Sequence, residues 1–478
     1  MTAPRPFDPG RRSVLAAAAG LAGAALLPRA AMAEATATAA ATGPGAGGPV
    51  ALTAGPARVS LVGPSYPQTT VWAYNGSAPG PVLRFRQGDT ARIAFTNALA
   101  EETTVHWHGL RVPNAMDGVP HLSQPPVPAG GRFAYEFALK DAGTFWYHPH
   151  ANSAQQVGRG LAGVLVVEER QPIRVDRELV WALGDWRLTR EAAIDDGFGH
   201  PMDASHAGRV GNTVTLNGAI VEAVPVRAGE RLRLRLANVA SARIFALEFE
   251  GHAPQVIALD GQPVAPYAPD GNRVVLAPGQ RADLVLDLQG RPGERFDVVD
   301  RFYPRQAYRL TSLVYGDGAP LRESPLDAPV ALPANPLPAL DLAGAVRQDV
   351  VIEGGAMGNL PGGMRMTPAG PFWALNGTAP MGHAIEPLIT VKRGQTVRMG
   401  FVNDTALWHP MHLHGFPFAL LTVNGAPPPR AQWRDTVLLA PRDAVEVAFV
   451  AEEPGDWMLH CHVLEHQEFG MMAVLRVA

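Results

Sequence analysis

The only cysteine of the chain stands between two histidines, in His460-Cys461-His462, with His466 and Met471 close behind. In a β-strand successive side chains point to opposite faces. His460 and His462 are therefore expected on one face and Cys461 on the other, so one strand can serve two metal centres joined by a few covalent bonds. A cysteine thiolate with two histidines and a weak axial methionine is the ligand set of a blue copper electron-transfer site. The histidines on the opposite face then need a different metal.

Three further clusters supply the second centre. His106-Trp107-His108 and His148-Pro149-His150 are H-x-H pairs, and His409-Pro410-Met411-His412-Leu413-His414 adds H-x-x-H-x-H. Together with the Cys461 segment they hold ten of the fifteen histidines. A structural zinc site closes at four ligands, too few for this set. Imidazoles with a single thiolate and a thioether point to copper. A lone cysteine in an exported chain forms no internal disulfide, and its place among histidines makes Cys461 a ligand.

The elements that carry these residues read as β. Gly 50 and Pro 45 are abundant, hydrophobic residues make up 47%, and long helical periodicities are few, which favours an all-β chain rich in turns. Arg86-x-Gly88-x-x-x-Arg92-x-x-x-x-Asn97 recurs at Arg227, Gly229, Arg233 and Asn238, and again at Lys392, Gly394, Arg398 and Asn403. Each copy follows an Asn-Gly turn signal, at Asn75-Gly76, Asn217-Gly218 and Asn376-Gly377. One unit used three times is implied. The run Arg231-Leu232-Arg233-Leu234-Arg235-Leu236 alternates, giving one aliphatic and one charged face, as in sandwiches of antiparallel sheets.

A second echo closes the units. Gly143 and Gly455 each precede a histidine by five residues, His148 and His460, whereas Gly293 leads to Val298. The middle unit is thus expected to lack ligands and act as a spacer, with the first and last meeting at the metal. The expected boundaries are residues 50–170, 171–316 and 344–478, with a Pro-rich linker over 317–343 that includes Pro333, Pro336 and Pro338.

Residues 1–33 read as an export signal. Arg11-Arg12 precedes an apolar run through Leu27, and Ala31-Met32-Ala33 offers an A-x-A cleavage pattern. The arginine pair points to the twin-arginine route, hence a periplasmic or secreted protein. The apolar run is short for a span, so no stable membrane insertion is expected. Residues 34–49 read as a flexible Ala/Gly/Thr-rich lead-in. The formal charge of −4 gives no reason to expect nucleic acid.

The four metal motifs resemble the three-domain bacterial multicopper oxidases, the group of laccases and copper-efflux oxidases, over nearly all of the mature chain. The resemblance implies three Greek-key, cupredoxin-like β-sandwiches. It implies one-electron oxidation of a reductant coupled to reduction of dioxygen to water. It also implies four copper ions: type 1 on His409, Cys461, His466 and Met471; type 2 on His106 and His412; and a type 3 pair on His108, His148, His462 and on His150, His414, His460. Every ligand position of that pattern is filled here, which argues against the copper-free scaffold relatives.

Asp117, eleven residues after His106, matches a family carboxylate near type 2 copper and is assigned as a proton relay. The chain departs from the copper-efflux relatives after its last histidine ligand, where it has Gln467 followed by Glu468. Glu468 is the candidate substitute relay. The lead-in to His409, Asp404-Thr405-Ala406-Leu407-Trp408, has no methionines, so phenols and aromatic amines lead as reductants. Cuprous ion is the alternative, with Met357, Met364 and Met366 as candidate soft ligands. A non-enzymatic copper-binding or scaffold protein is the competing class, and two-domain copper nitrite reductases fit poorly. Asp435 reads as either a residue behind the ligands or a turn residue. His121, His200, His206, His252 and His383 read as ordinary loop or surface residues.

Overall fold

A computed structural model describes residues 48–478 except 359, 361–363, 365 and 383–384. The export signal, nearly all of the lead-in and His383 lie outside the described residues. The fold is all-β, with six sheets arranged as three two-sheet sandwiches.

The sequence repeat is a repeat of topology. In each sandwich the first strand pairs parallel with a later one: Val50–Val59 with Thr90–Asn97, Arg177–Trp186 with Arg231–Asn238, and Val346–Gly354 with Thr396–Asn403. In each, the opposite sheet also carries a parallel pair: Leu83–Arg86 with Gly163–Glu168, Val224–Val226 with Tyr308–Tyr315, and Pro387–Val391 with Met472–Val477.

The repeated asparagines explain the motif. Asn75, Asn217 and Asn376 sit at φ near +50°, where asparagine is tolerated better than most residues. Each clamps the first strand of its sandwich, accepting from the backbone N–H of Thr53, Ala182 or Val351 and donating to the carbonyl of Ala51, Val180 or Asp349. The buried Asn97, Asn238 and Asn403 each donate to two carbonyls in neighbouring loops and accept a backbone N–H two residues on. A buried amide with donors and acceptor satisfied fixes a strand exit at low cost.

One apolar core fills each sandwich, built around Trp107 and Tyr135 in the first, Leu234 and Phe249 in the second, and Trp373 and Trp457 in the third. The charged face of Arg231–Asn238 does not meet solvent. Arg233 and Arg235 are buried against Glu169, Glu178 and Asp283, with Thr144 of the first sandwich accepting from Arg235. The alternation thus marks a seam between sandwiches. Between Tyr315 and Val346 the chain forms no strand and is tied back by Asn335 to Ala142 and Gln262.

Candidate metal centres

Strand alternation sorts the ligands. In His409–Leu413, Met411 and Leu413 enter the third core, His409 shares their face, and His412 turns the other way. Across the ladder Met411 pairs with Cys461 and His412 with His460. In the first sandwich Trp107 enters the core while His106 pairs with His148 and His108 with Trp146.

The first site lies inside the third sandwich. Cys461 Sγ is 3.7 Å from His409 Nδ1 and 3.6 Å from His466 Nδ1, and the two ring nitrogens are 3.2 Å apart. His466 Nε2 donates to the His206 carbonyl at 2.6 Å, so the lone pair is left on Nδ1. His409 Nε2 donates to Thr405 Oγ1, whose own proton goes to Asn403. All three side chains are fully buried, and Trp373 packs against both rings. Met471 is fully buried in the same core cluster, and its carbonyl accepts the Cys461 N–H. Burial pushes the Cys461 thiol far above its usual range and holds His466 down to about 3. A thiolate between two neutral imidazoles is stable there only with a cation.

The second site lies between the first and third sandwiches. His106 stacks on His414 at 3.8 Å between ring centroids, and His108 on His412 at 3.7 Å. His148, His150, His460 and His462 complete a cage of eight buried rings. Six of these rings direct a proton outward. Nδ1 of His106, His148, His412 and His460 donates to the carbonyls of Asp117, Pro149, Asp435 and Cys461. Nδ1 of His414 donates to Asp117 Oδ2, and His108 reverses the pattern by donating Nε2 to Asp435 Oδ1.

The opposite nitrogens converge. Nε2 of His106, His148, His150 and His412, Nδ1 of His108 and both nitrogens of His462 are buried without a hydrogen-bond partner. Ligand-atom groups compact enough for an ion include His150, His414 and His460; His106, His108 and His148; and His106, His412 and His414. Burial lowers the pKa of His108, His148, His150, His414, His460 and His462 well below the usual value, so they are neutral ligands at pH 7. Neutral imidazoles with converging lone pairs fit copper.

The cluster has an outer layer. Arg281, from the middle sandwich, is fully buried and bidentate to Asp435, at 2.8 and 2.6 Å. Losing one partner of such a pair costs about 3–5 kcal/mol, because a charge is left buried alone. Asp117 Oδ1 is buried without a hydrogen bond, 3.3 Å from His106 Nδ1. Glu468 lies farther out, accepting from the Ala154 N–H at 2.8 Å, and burial pushes its carboxyl up to about 7. It shares a cavity of about 270 Å³ with His150, Gln467, Met381 and Met458. Gln467 reaches toward His150 Nδ1 at 3.4 Å.

Sequence reasoning left Asp435 open between two roles and missed Arg281, Thr405 and the His206 carbonyl. It read His206 and His252 as loop or surface residues. Both lie in loops, but the His206 carbonyl caps His466, and His252 is buried with Nε2 2.7 Å from the Tyr315 hydroxyl.

Three sandwiches, a Cys-His-His site and an eight-histidine cage joined through one strand define a copper oxidoreductase architecture. Residues 58–172, 177–315 and 360–478 each match multicopper oxidase family domains. The chain is 30% identical to the multicopper oxidase MmcO of Mycobacterium tuberculosis over 88% of this chain and 85% of that protein. It is 26% identical to Laccase-1 of Botryotinia fuckeliana over 83% of this chain and 77% of that one. A crystal structure of a multi-copper oxidase from Pseudomonas thermotolerans superposes with a TM-score of 0.81 at 36% identity, covering 92% of this chain and all of the other. The chain belongs to the multicopper oxidase family and is an oxidoreductase that uses copper.

Proposed function

We propose that the chain binds four copper ions and couples oxidation of phenols or aromatic amines to reduction of dioxygen to two waters. The division is one type 1 ion at His409, Cys461, His466 and Met471; one type 2 ion at His106 and His412; and a type 3 pair at His108, His148, His462 and at His150, His414, His460. When bound, the coppers supply one-electron acceptance at the thiolate site and four-electron delivery to dioxygen in the cage. The observation that carries this reading is the placement of His460 and His462 toward the cage and Cys461 toward the other site.

The chain's own residues do the rest. The Cys461-His462 backbone links the sites covalently. Asp117 Oδ2 orients His414 and Oδ1 lies 3.3 Å from His106 Nδ1, so this carboxylate stands beside the cage as the proton relay. Glu468, protonated near neutrality, holds a proton on the wall of the His150 cavity. Two waters consume four protons, so a supply is required. The reductant does not touch His466 directly, because the His206 carbonyl covers its Nε2.

Trp408 precedes His409, is 40% exposed and meets Phe302 edge-on at 5.5 Å between centroids. This aromatic surface beside the type 1 site supports an aromatic reductant. Cuprous ion is the second reading, favoured by the exposed thioethers of Met202, Met357 and Met381. Oxygen uptake by copper-loaded protein with a phenol, compared with cuprous ion, decides between them, and no uptake with either would refute the oxidase. We further propose export by the twin-arginine route to the periplasm or medium; replacing Arg11-Arg12 by lysines should leave the protein in the cytoplasm.

A further inference from the structure

We infer that the middle sandwich is a working part of the copper cage, with Gly279 and Arg281 as positioning residues that set two of its histidines. The inference rests on the four-copper reading above. The middle sandwich contributes no ligand, yet the turn between its strands Arg273–Leu276 and Arg281–Asp287 reaches the rings.

Gly279 has φ +84°, and a Cβ built on it would stand 2.9 Å from His462 Cδ2 and 3.0 Å from His108 Cε1. Its backbone therefore forms the wall against which both rings lie. His462 depends on that wall, because neither of its ring nitrogens has a hydrogen-bond partner. No other described residue hydrogen-bonds its ring, which packs against Gly279, Trp146, His148 and His108.

Arg281 acts through Asp435. Its guanidinium spends Nε on the Thr144 carbonyl and Nη1 on the Gly279 carbonyl, and both terminal nitrogens bind the Asp435 carboxylate. Asp435 Oδ1 in turn accepts from His108 Nε2, and the Asp435 carbonyl accepts from His412 Nδ1. Next door, Gln280 donates to the Thr436 carbonyl. Gly109, at φ +87°, clears the way, since a Cβ there would be 2.5 Å from Asp435 Oδ2.

The chemical consequence is tautomeric. A carboxylate held in its acceptor-only form by Arg281 makes His108 carry its proton on Nε2. His108 then presents Nδ1 to the cage, opposite to its neighbours. Without Arg281 the Asp435 side chain is free to swing away from His108, and the choice of ring nitrogen at His108 is no longer fixed.

The test uses full-length Gly279→Ala, Arg281→Met and Arg281→Lys, loaded with copper beside wild type. Copper per chain, blue absorption, the type 2 electron paramagnetic resonance signal and thermal unfolding of the copper-free form are measured. Gly279→Ala and Arg281→Met should keep the blue colour but surrender cage copper to a chelator about 10–100-fold more readily. Arg281→Lys, which keeps the charge and a donor, should recover part of the loss. Wild-type copper retention in both Gly279→Ala and Arg281→Met would overturn the inference. So would loss of blue colour in step with cage copper and melting temperature, which marks a merely structural role. A wild-type chain without cage copper would defeat the four-copper reading itself.

Discussion

Nε2 of His414 and Nε2 of His460 face each other at 3.1 Å, with the Nδ1 of each ring already donating, to Asp117 Oδ2 and to the Cys461 carbonyl. Two lone pairs at hydrogen-bond distance, with no proton available to either, repel. A cation turns that repulsion into coordination. The cage is a folded arrangement whose electrostatics are completed by metal.

The copper-free protein should therefore be acid-sensitive. Burial depresses the folded-state pKa of His409, His412, His108, His148, His150, His414, His460 and His462 below about 6.5, the value the unfolded chain retains. Below pH 6.5 the unfolded state binds protons that the folded state refuses, so stability falls as pH falls. Each such ring contributes a loss of about 1.4 kcal/mol per pH unit. Denaturant midpoints of copper-free protein at pH 7.5 and 5.5 should differ clearly, and copper should narrow the gap; equal midpoints would contradict the neutral-cage assignment.

Replacing Cys461 by serine should abolish the blue colour and steady-state turnover while leaving the fold intact. Serine fits the space of the thiol, so the buried strand keeps its packing, but its hydroxyl is a poor copper ligand. Circular dichroism and melting temperature should stay close to wild type. Undiminished turnover would rule out the route through this strand.

Asp117→Asn keeps an oxygen to accept from His414 but removes the carboxylate proposed as the proton relay beside the cage. Re-oxidation of the reduced enzyme by dioxygen should slow by about 10–100-fold, with anaerobic bleaching of the blue site by the reductant unchanged. Equal slowing of both half-reactions would show that Asp117 acts only on the frame.

Glu468→Gln separates the second proton holder from its structural bond. The amide oxygen still accepts from the Ala154 N–H, whereas no acidic proton remains. Oxygen reduction near pH 7 should fall several-fold, with copper content and melting temperature unchanged. A wild-type rate would assign proton delivery at this cavity to another group.

Much of this site was legible because strand periodicity is simple. H-x-H places two imidazoles on one face and sends Trp107 to the core, and the same rule separates Cys461 from its neighbours. The three Asn-Gly signals located equivalent turns because asparagine tolerates positive φ there. What escaped was set by contacts between distant segments. Arg281 and Asp435 are 154 residues apart, and no local pattern joins them. The alternation at Arg231–Leu236 gave a charged face but not its partners, Glu178 and Asp283 of the same sandwich with Glu169 and Thr144 of the first. The missing ligand at Val298 suggested a spacer, because the glycine turn at Gly279 carries no chemical side chain to betray its place against His108 and His462.

Copper analysis of fully loaded protein, with the blue band and the type 2 paramagnetic signal quantified on the same sample, tests the central claim most directly. The proposed four-copper reading predicts four ions per chain, one of them blue and one giving the type 2 signal, with the remaining two silent. A single blue ion per chain, with the eight cage histidines metal-free, would contradict it.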